Sequence, residues 1–84
     1  MKKDIFLVGF KAEAEKNLKK GMTELIHKSD ANIVIGNDIS RDVIGSDYNE
    51  VLILHKSGTL KKIKRDKKDR IAERIVDEIK ERLR

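Results

Sequence analysis

Cysteine, proline, tryptophan and glutamine are absent from this 84-residue chain, and Phe6, Phe10 and Tyr48 are its only aromatic residues. Without cysteine, a disulfide framework, a thiolate zinc site and a cysteine nucleophile are excluded, and a reducing compartment, the cytoplasm, is the expected location. Long apolar runs are missing as well. The longest are residues 5–8, 33–35 and 51–54, far below the roughly 18 to 20 residues needed to cross a bilayer, so no membrane partner is expected. Nor is a signal peptide, because Met1-Lys2-Lys3-Asp4 leads straight into a strand-like segment with no small-residue cleavage site after it.

What the chain has in abundance is charge: 42% of its residues are charged against 38% apolar, with a net charge of +5. A chain this short is a single domain, and it buries only about 60 to 65% of the surface it exposes when unfolded, so its core must draw on nearly every apolar residue. The excess positive charge is local. Residues 61–70 carry Lys61, Lys62, Lys64, Arg65, Lys67, Lys68 and Arg70 against Asp66 and Asp69, which leaves the remainder of the chain neutral overall. Such a segment is able to neutralise nucleic-acid phosphates, yet it contains no aromatic side chain on which a base would stack. Nucleic-acid binding through residues 61–70 by a free-standing, non-catalytic domain is therefore the alternative reading, not the leading one.

Hydropathy patterning divides the chain into six elements. Residues 4–10 (DIFLVGF) are apolar without alternation, as in a strand buried on both faces. Leu18, Met22, Leu25 and Ile26 recur at helical spacing between residues 15 and 28, with Gly21 as the weak point of that helix. Residues 32–36 (NIVIG) form a second strand, and strand, helix and strand within about 35 residues make a right-handed βαβ unit with parallel strands. A polar loop over 37–49 follows, then strands at 51–54 and 60–64 joined by Lys56-Ser57-Gly58-Thr59 as an antiparallel hairpin, its lysine-rich member at the sheet edge. Asp66 stands as N-cap of a last helix whose stripe is Ile71, Ala72, Ile75, Ile79 and Leu83. The expected class is α/β: a βαβ unit followed by a β-hairpin and a C-terminal helix.

Chemistry-bearing residues are few. His27 and His55 fall in different elements with no metal-ligand spacing around them, and Ser40, Ser46 and Ser57 sit in no nucleophile-elbow pattern. Asp38, Asp42 and Asp47 share the long loop and are able to meet a hydrated magnesium ion, although turn carboxylates are the commoner explanation for them. Because ligands of open α/β sheets bind beyond the carboxyl ends of the strands, attention falls on three segments: Val8-Gly9-Phe10-Lys11-Ala12-Glu13, Gly36-Asn37-Asp38-Ile39-Ser40 and Gly45-Ser46-Asp47-Tyr48-Asn49-Glu50-Val51.

In order and spacing these three segments resemble the C-terminal part of the phosphopantothenate-cysteine ligase family, the synthetase half of the bifunctional flavoprotein of coenzyme A biosynthesis. The match runs over residues 5–83. It implies a layer of a Rossmann-like two- or three-layer sheet fold, and a CTP-dependent reaction in which 4′-phosphopantothenate is activated as an acyl cytidylate and cysteine displaces CMP, with magnesium accompanying the triphosphate. By position, the resemblance makes Phe10 the aromatic residue against the nucleotide, Lys28 a phosphate-facing cation, and Asn37 with Asp38 the polar pair that shapes the crevice. A second phosphate-facing lysine is replaced by Glu24, whose carboxylate repels a triphosphate. The amino-terminal synthetase half has no counterpart in the chain. The implication is a single domain over 1–84 that acts as a C-terminal subdomain, names no catalytic residue of its own, is inactive alone, requires the missing half as partner and forms a homodimer through its hairpin.

Overall fold

The computed structural model describes residues 6–39 and 48–83, with the side chains of Tyr48 and Asn49 excepted. Its elements are β1 (Val8–Glu13), α1 (Glu15–Ser29), β2 (Ile33–Asp38), β3 (Tyr48–His55), β4 (Leu60–Lys67) and α2 (Lys68–Leu83). The strands form one sheet in the order β1-β2-β3-β4, with β1 and β2 parallel and the other pairs antiparallel. This is the α/β arrangement expected from the sequence: a βαβ unit extended by a hairpin that leaves the basic strand β4 at an edge.

Strand alternation sorts the core into two halves, because neighbouring residues on a strand face opposite sides of the sheet. On one side Val34 and Leu54 meet Leu18, Met22 and Ile26 of α1, together with Ala31. On the other, Ile33, Ile35, Val51, Ile53 and Ile63 meet Ile71 of α2, with Ile75 and Ile79 packed against them. The helices therefore cover opposite faces, giving three layers. Of the residues expected along the α2 stripe, Ala72 and Leu83 turn outward instead, Leu83 being 60% exposed. The narrow apolar stripe follows from α2 lying mainly over β3 and β4.

Element boundaries moved where polar residues join the sheet. The first strand, expected at 4–10, runs to Glu13, while residues 1–5 lie outside the described ones. Lys11 and Glu13 continue it because their side chains pair at 3.3 Å on the α1 side, and the Lys11 stem lies across α1 where Gly21 offers no side chain; a Cβ there would stand 2.9 Å from Lys11 Cε. The presumed weak point of α1 is thus a crossing point. Asn37 and Asp38, expected in a loop, extend β2 because both β1 and β3 supply partners, pairing Asn37 with Ala12 and Val51 and Asp38 with Glu13. Asp66, expected as a helix cap, lies within β4 and accepts a hydrogen bond at 2.7 Å from the Lys67 N–H. Asp42 and Asp47, with Ser40 and Ser46, lie outside the described residues.

Two local devices fix the sheet ends. Asn32 accepts a hydrogen bond from the Leu7 N–H on Oδ1 at 2.8 Å and donates its own N–H to the Leu7 carbonyl at 2.8 Å, so β1 and β2 start in register. Between β3 and β4, Gly58 adopts φ +103°, a conformation that strains any L side chain, and its N–H donates to the His55 carbonyl at 2.8 Å.

Candidate functional site

The parallel pairing of β1 with β2 brings the carboxyl ends of both strands to one rim. Phe10 pairs with Ile35, and Asn37 pairs with Ala12 two residues nearer the rim. Paired residues and residues two apart share a face, so Phe10 and Asn37 both stand on the α2 side of the sheet. The contacts of α2 are mainly with β3 and β4, and its core side chains reach Ile33 and Ile35 with Val8 beside them, whereas the Phe10 ring lies outside that core. Phe10 is consequently 70% exposed, an unusual setting for an aromatic ring in mid-strand. Asn37 Oδ1 is buried without a hydrogen-bond partner; an unpaired buried carbonyl of this kind costs about 1 to 3 kcal/mol and is a place where a donor from a ligand or a water is expected.

Asp38 and Lys28 are placed elsewhere. Asp38 follows Asn37 on the strand and so faces the α1 side, where it lines a cleft of about 240 Å³ with Glu15, Lys19, Glu50, Leu60 and Lys62. Within that cleft Lys62 Nζ lies 3.3 Å from Glu50 Oε2. Lys28 is exposed in the last turn of α1. Because a helix rises about 1.5 Å per residue, Lys28 is about 20 Å along the axis from Glu15 and the rim. Glu24 is exposed one turn earlier. The structure therefore groups Phe10 with Asn37, sets Asp38 on the reverse face, and leaves Lys28 toward the far end of the sheet, near the Lys56–Asp30 ion pair of 2.6 Å. An exposed ring beside an unsatisfied amide oxygen suits the planar, hydrogen-bonding surface of a nucleobase. Among the described residues, charge to neutralise a triphosphate is not gathered beside it, and no group of three or more potential ligands assembles for a metal ion.

One polar cluster was missed by sequence reasoning. His55, only 2% exposed, ends β3 beneath α2, and its Nε2 lies 3.1 Å from Glu78 Oε2. Lys61 Nζ donates to both Glu78 oxygens at 3.0 and 3.1 Å. Burial, reinforced by Arg82 and Lys61, holds the imidazole below its ordinary value, against the opposing pull of Glu78. The only available signal was the alternation of β3, which places residue 55 with Ile53 and Val51 on the α2 side.

The basic segment 61–70 is divided between the two faces of the sheet. Its strand residues alternate between faces, with Lys61 paired to Glu78 of α2 on one and Lys62 to Glu50 on the other, while Asp66 lies 3.8 Å from Arg74.

Fold and rim together define a class: one end of an open α/β/α sheet domain with a parallel strand pair at one side of the sheet. The particular family follows from comparison. Residues 1–83 match the DNA/pantothenate metabolism flavoprotein C-terminal domain, and the chain belongs to that family. It is 42% identical over 81 residues to the Coenzyme A biosynthesis bifunctional protein CoaBC of Methanocaldococcus jannaschii and 35% identical over 82 residues to that of Thermococcus kodakarensis. These alignments cover 93% and 94% of the chain but 20% of each relative, so the chain spans about a fifth of their length. Among solved structures, the C-terminal domain of a Coenzyme A biosynthesis bifunctional protein CoaBC superposes with TM-score 0.78 and 25% identity over 98% of this chain and 39% of that one. A DNA/pantothenate metabolism flavoprotein from Streptococcus pneumoniae gives TM-score 0.67 and 25% identity over 90% and 32%. No helix among the described residues is long and apolar enough to cross a membrane.

Proposed function

We propose that this chain is the C-terminal portion of a CTP-dependent ligase that joins 4′-phosphopantothenate to cysteine, and that it forms one wall of the nucleotide site. The observation that carries this reading is the placement of an exposed Phe10 and the buried, unsatisfied Asn37 Oδ1 on one sheet face near the rim. The ring packs against the base or ribose, and the amide oxygen accepts a hydrogen bond from it. Asp38 shapes the reverse side of the rim. Lys28 serves a phosphate only in a complex that brings the triphosphate along α1, and Glu24 disfavours that course. Most of the triphosphate charge is left to magnesium and to the amino-terminal synthetase half, since a single lysine cannot offset it. The chain alone is therefore inactive.

Titration of CTP with magnesium into the ¹⁵N-labelled chain tests the proposal. Weak, saturable shifts at Gly9, Phe10 and Asn37 are expected. Shifts confined to the β3–β4 turn and α2 would place binding on the basic segment and refute this reading.

A further inference from the structure

The two halves of α2 are held to the sheet by different means. Ile71, in the first turn, is buried in the core with Ile63. Beyond it the apolar hold weakens: Ile75 and Ile79 are half-buried, and Val76 and Leu83 are exposed. The second half of the helix is tied to the hairpin by charge. Among the described residues its side-chain ties to β3 and β4 converge on Glu78, whose carboxylate meets Lys61 Nζ at 3.0 and 3.1 Å and His55 Nε2 at 3.1 Å.

His55 is the unusual member of this group. It is buried opposite Ile33 of β2, and neither of its ring nitrogens makes an aligned hydrogen bond. The charges that face it are Glu78 and Arg82 from α2 and Lys61 from β4, while β2 offers only the uncharged Ile33. Asp77 and Glu81 of α2 line the groove on the outer side of Lys61 and Glu78. With the imidazole neutral, the site holds two cations and one carboxylate. A proton on the ring sets three cations around that carboxylate, both of whose oxygens Lys61 already engages. A buried charge without a full partner is strongly disfavoured. The least disruptive relief is mechanical: an outward swing of residues 75–83 hydrates the ring and parts it from Arg82, at the loss of half-buried isoleucine contacts alone.

We infer that residues 75–83 of α2 form a proton-operated latch: a proton on His55 releases this half of the helix from the hairpin, while Ile71 and the four-stranded sheet stay in place. The charge balance sets the direction. Burial, Arg82 and Lys61 hold the imidazole below its ordinary value against the pull of Glu78, so the closed form takes up the proton less readily than the open form, and acid favours opening. A helical segment this short is marginal once freed from the sheet, so release also frays it. Opening bares the α2 side of Ile33 and Ile53, which the closed latch covers.

The test is amide exchange of the ¹⁵N-labelled chain without nucleotide, so its result is independent of the CTP reading. Rates are corrected for the intrinsic effect of pH and read between about pH 7.5 and about pH 5, where carboxylates stay largely ionised. Protection of the Ile79, Lys80, Glu81, Arg82 and Leu83 amides should fall by up to about tenfold per pH unit below pH 6.5, in step with the ring titration of His55. The Ile35 and Ile53 amides should keep theirs. His55→Gln should remove the pH dependence. Two variants leave the buried ring in place: Arg82→Gln removes an opposing cation, and Lys61→Gln also frees the Glu78 carboxylate for the imidazolium, so both should flatten the acid loss. A loss as large at Ile53 as at Leu83 would report global unfolding and overturn the inference. Full protection of α2 throughout the His55 titration would overturn it as well, and so would an acid loss unchanged in both Arg82→Gln and Lys61→Gln.

Discussion

Replacement of Gly36 by alanine probes the closest approach of helix to sheet. An ideal Cβ at Gly36 collides with Met22 Sδ and would stand 2.9 and 3.0 Å from Met22 Cε and Cγ. Met22 is fully buried in the α1-side core with Leu18, Ile26 and Val34 around it, so the thioether has little room to retreat. Overpacking of this kind costs about 1 to 3 kcal/mol, partly offset by the lower chain entropy of unfolded alanine. For a domain of this size each kcal/mol lowers the melting temperature by about 4 to 8 °C, so Gly36→Ala should melt about 5 to 15 °C below the wild type. Met22→Ala alone opens a cavity and should cost about 2 to 5 kcal/mol. The two changes touch the same space. In the double variant the new methyl enters the vacated volume, and a double-mutant cycle by urea denaturation should give a coupling of at least about 1 kcal/mol in the stabilising sense. A Gly36→Ala cost that is the same in both backgrounds would refute the packing argument.

Gly21→Ala makes the opposite case: its Cβ meets the flexible end of Lys11, so the side chain swings aside and the helix gains up to about 1 kcal/mol, read as a higher urea midpoint. His55 sets an acid limit. With its folded pKa lowered below the ordinary histidine value of 6.5, the unfolded chain binds more protons, so the stability conferred is complete above about pH 6.5 and declines as pH falls from there toward the folded pKa. The slope from this residue does not exceed about 1.4 kcal/mol per pH unit, and His55→Gln should remove it from a pH series of urea midpoints. Phe10→Ala should change stability by less than about 0.5 kcal/mol, as expected of an exposed side chain, while abolishing the CTP-induced shift at Asn37; a large drop in melting temperature would instead make Phe10 a packing residue.

The sequence by itself determined the order of the elements, the parallel pairing of the first two strands and the identity of most core residues. Val34, Ile35 and Ile53 have no physical alternative to burial in a chain with so little apolar material, and Leu18, Met22 and Ile26 keep one helical face wherever the helix begins. Boundaries were less legible. Lys11, Glu13, Asn37 and Asp66 are polar, and whether a polar residue stays in a strand depends on partners that arrive from distant positions: Gly21 beneath the Lys11 stem, or Ala12 and Val51 beside Asn37. The grouping of site residues was decided by tertiary structure alone. One position of register separates Asn37 from Asp38 onto opposite faces, and the rise of α1 carries Lys28 away from the rim, while the Phe10 ring lies beyond the α2-side core and stays exposed. Local pattern reports which side chains prefer water or oil; only the packed sheet fixes which of them share a face.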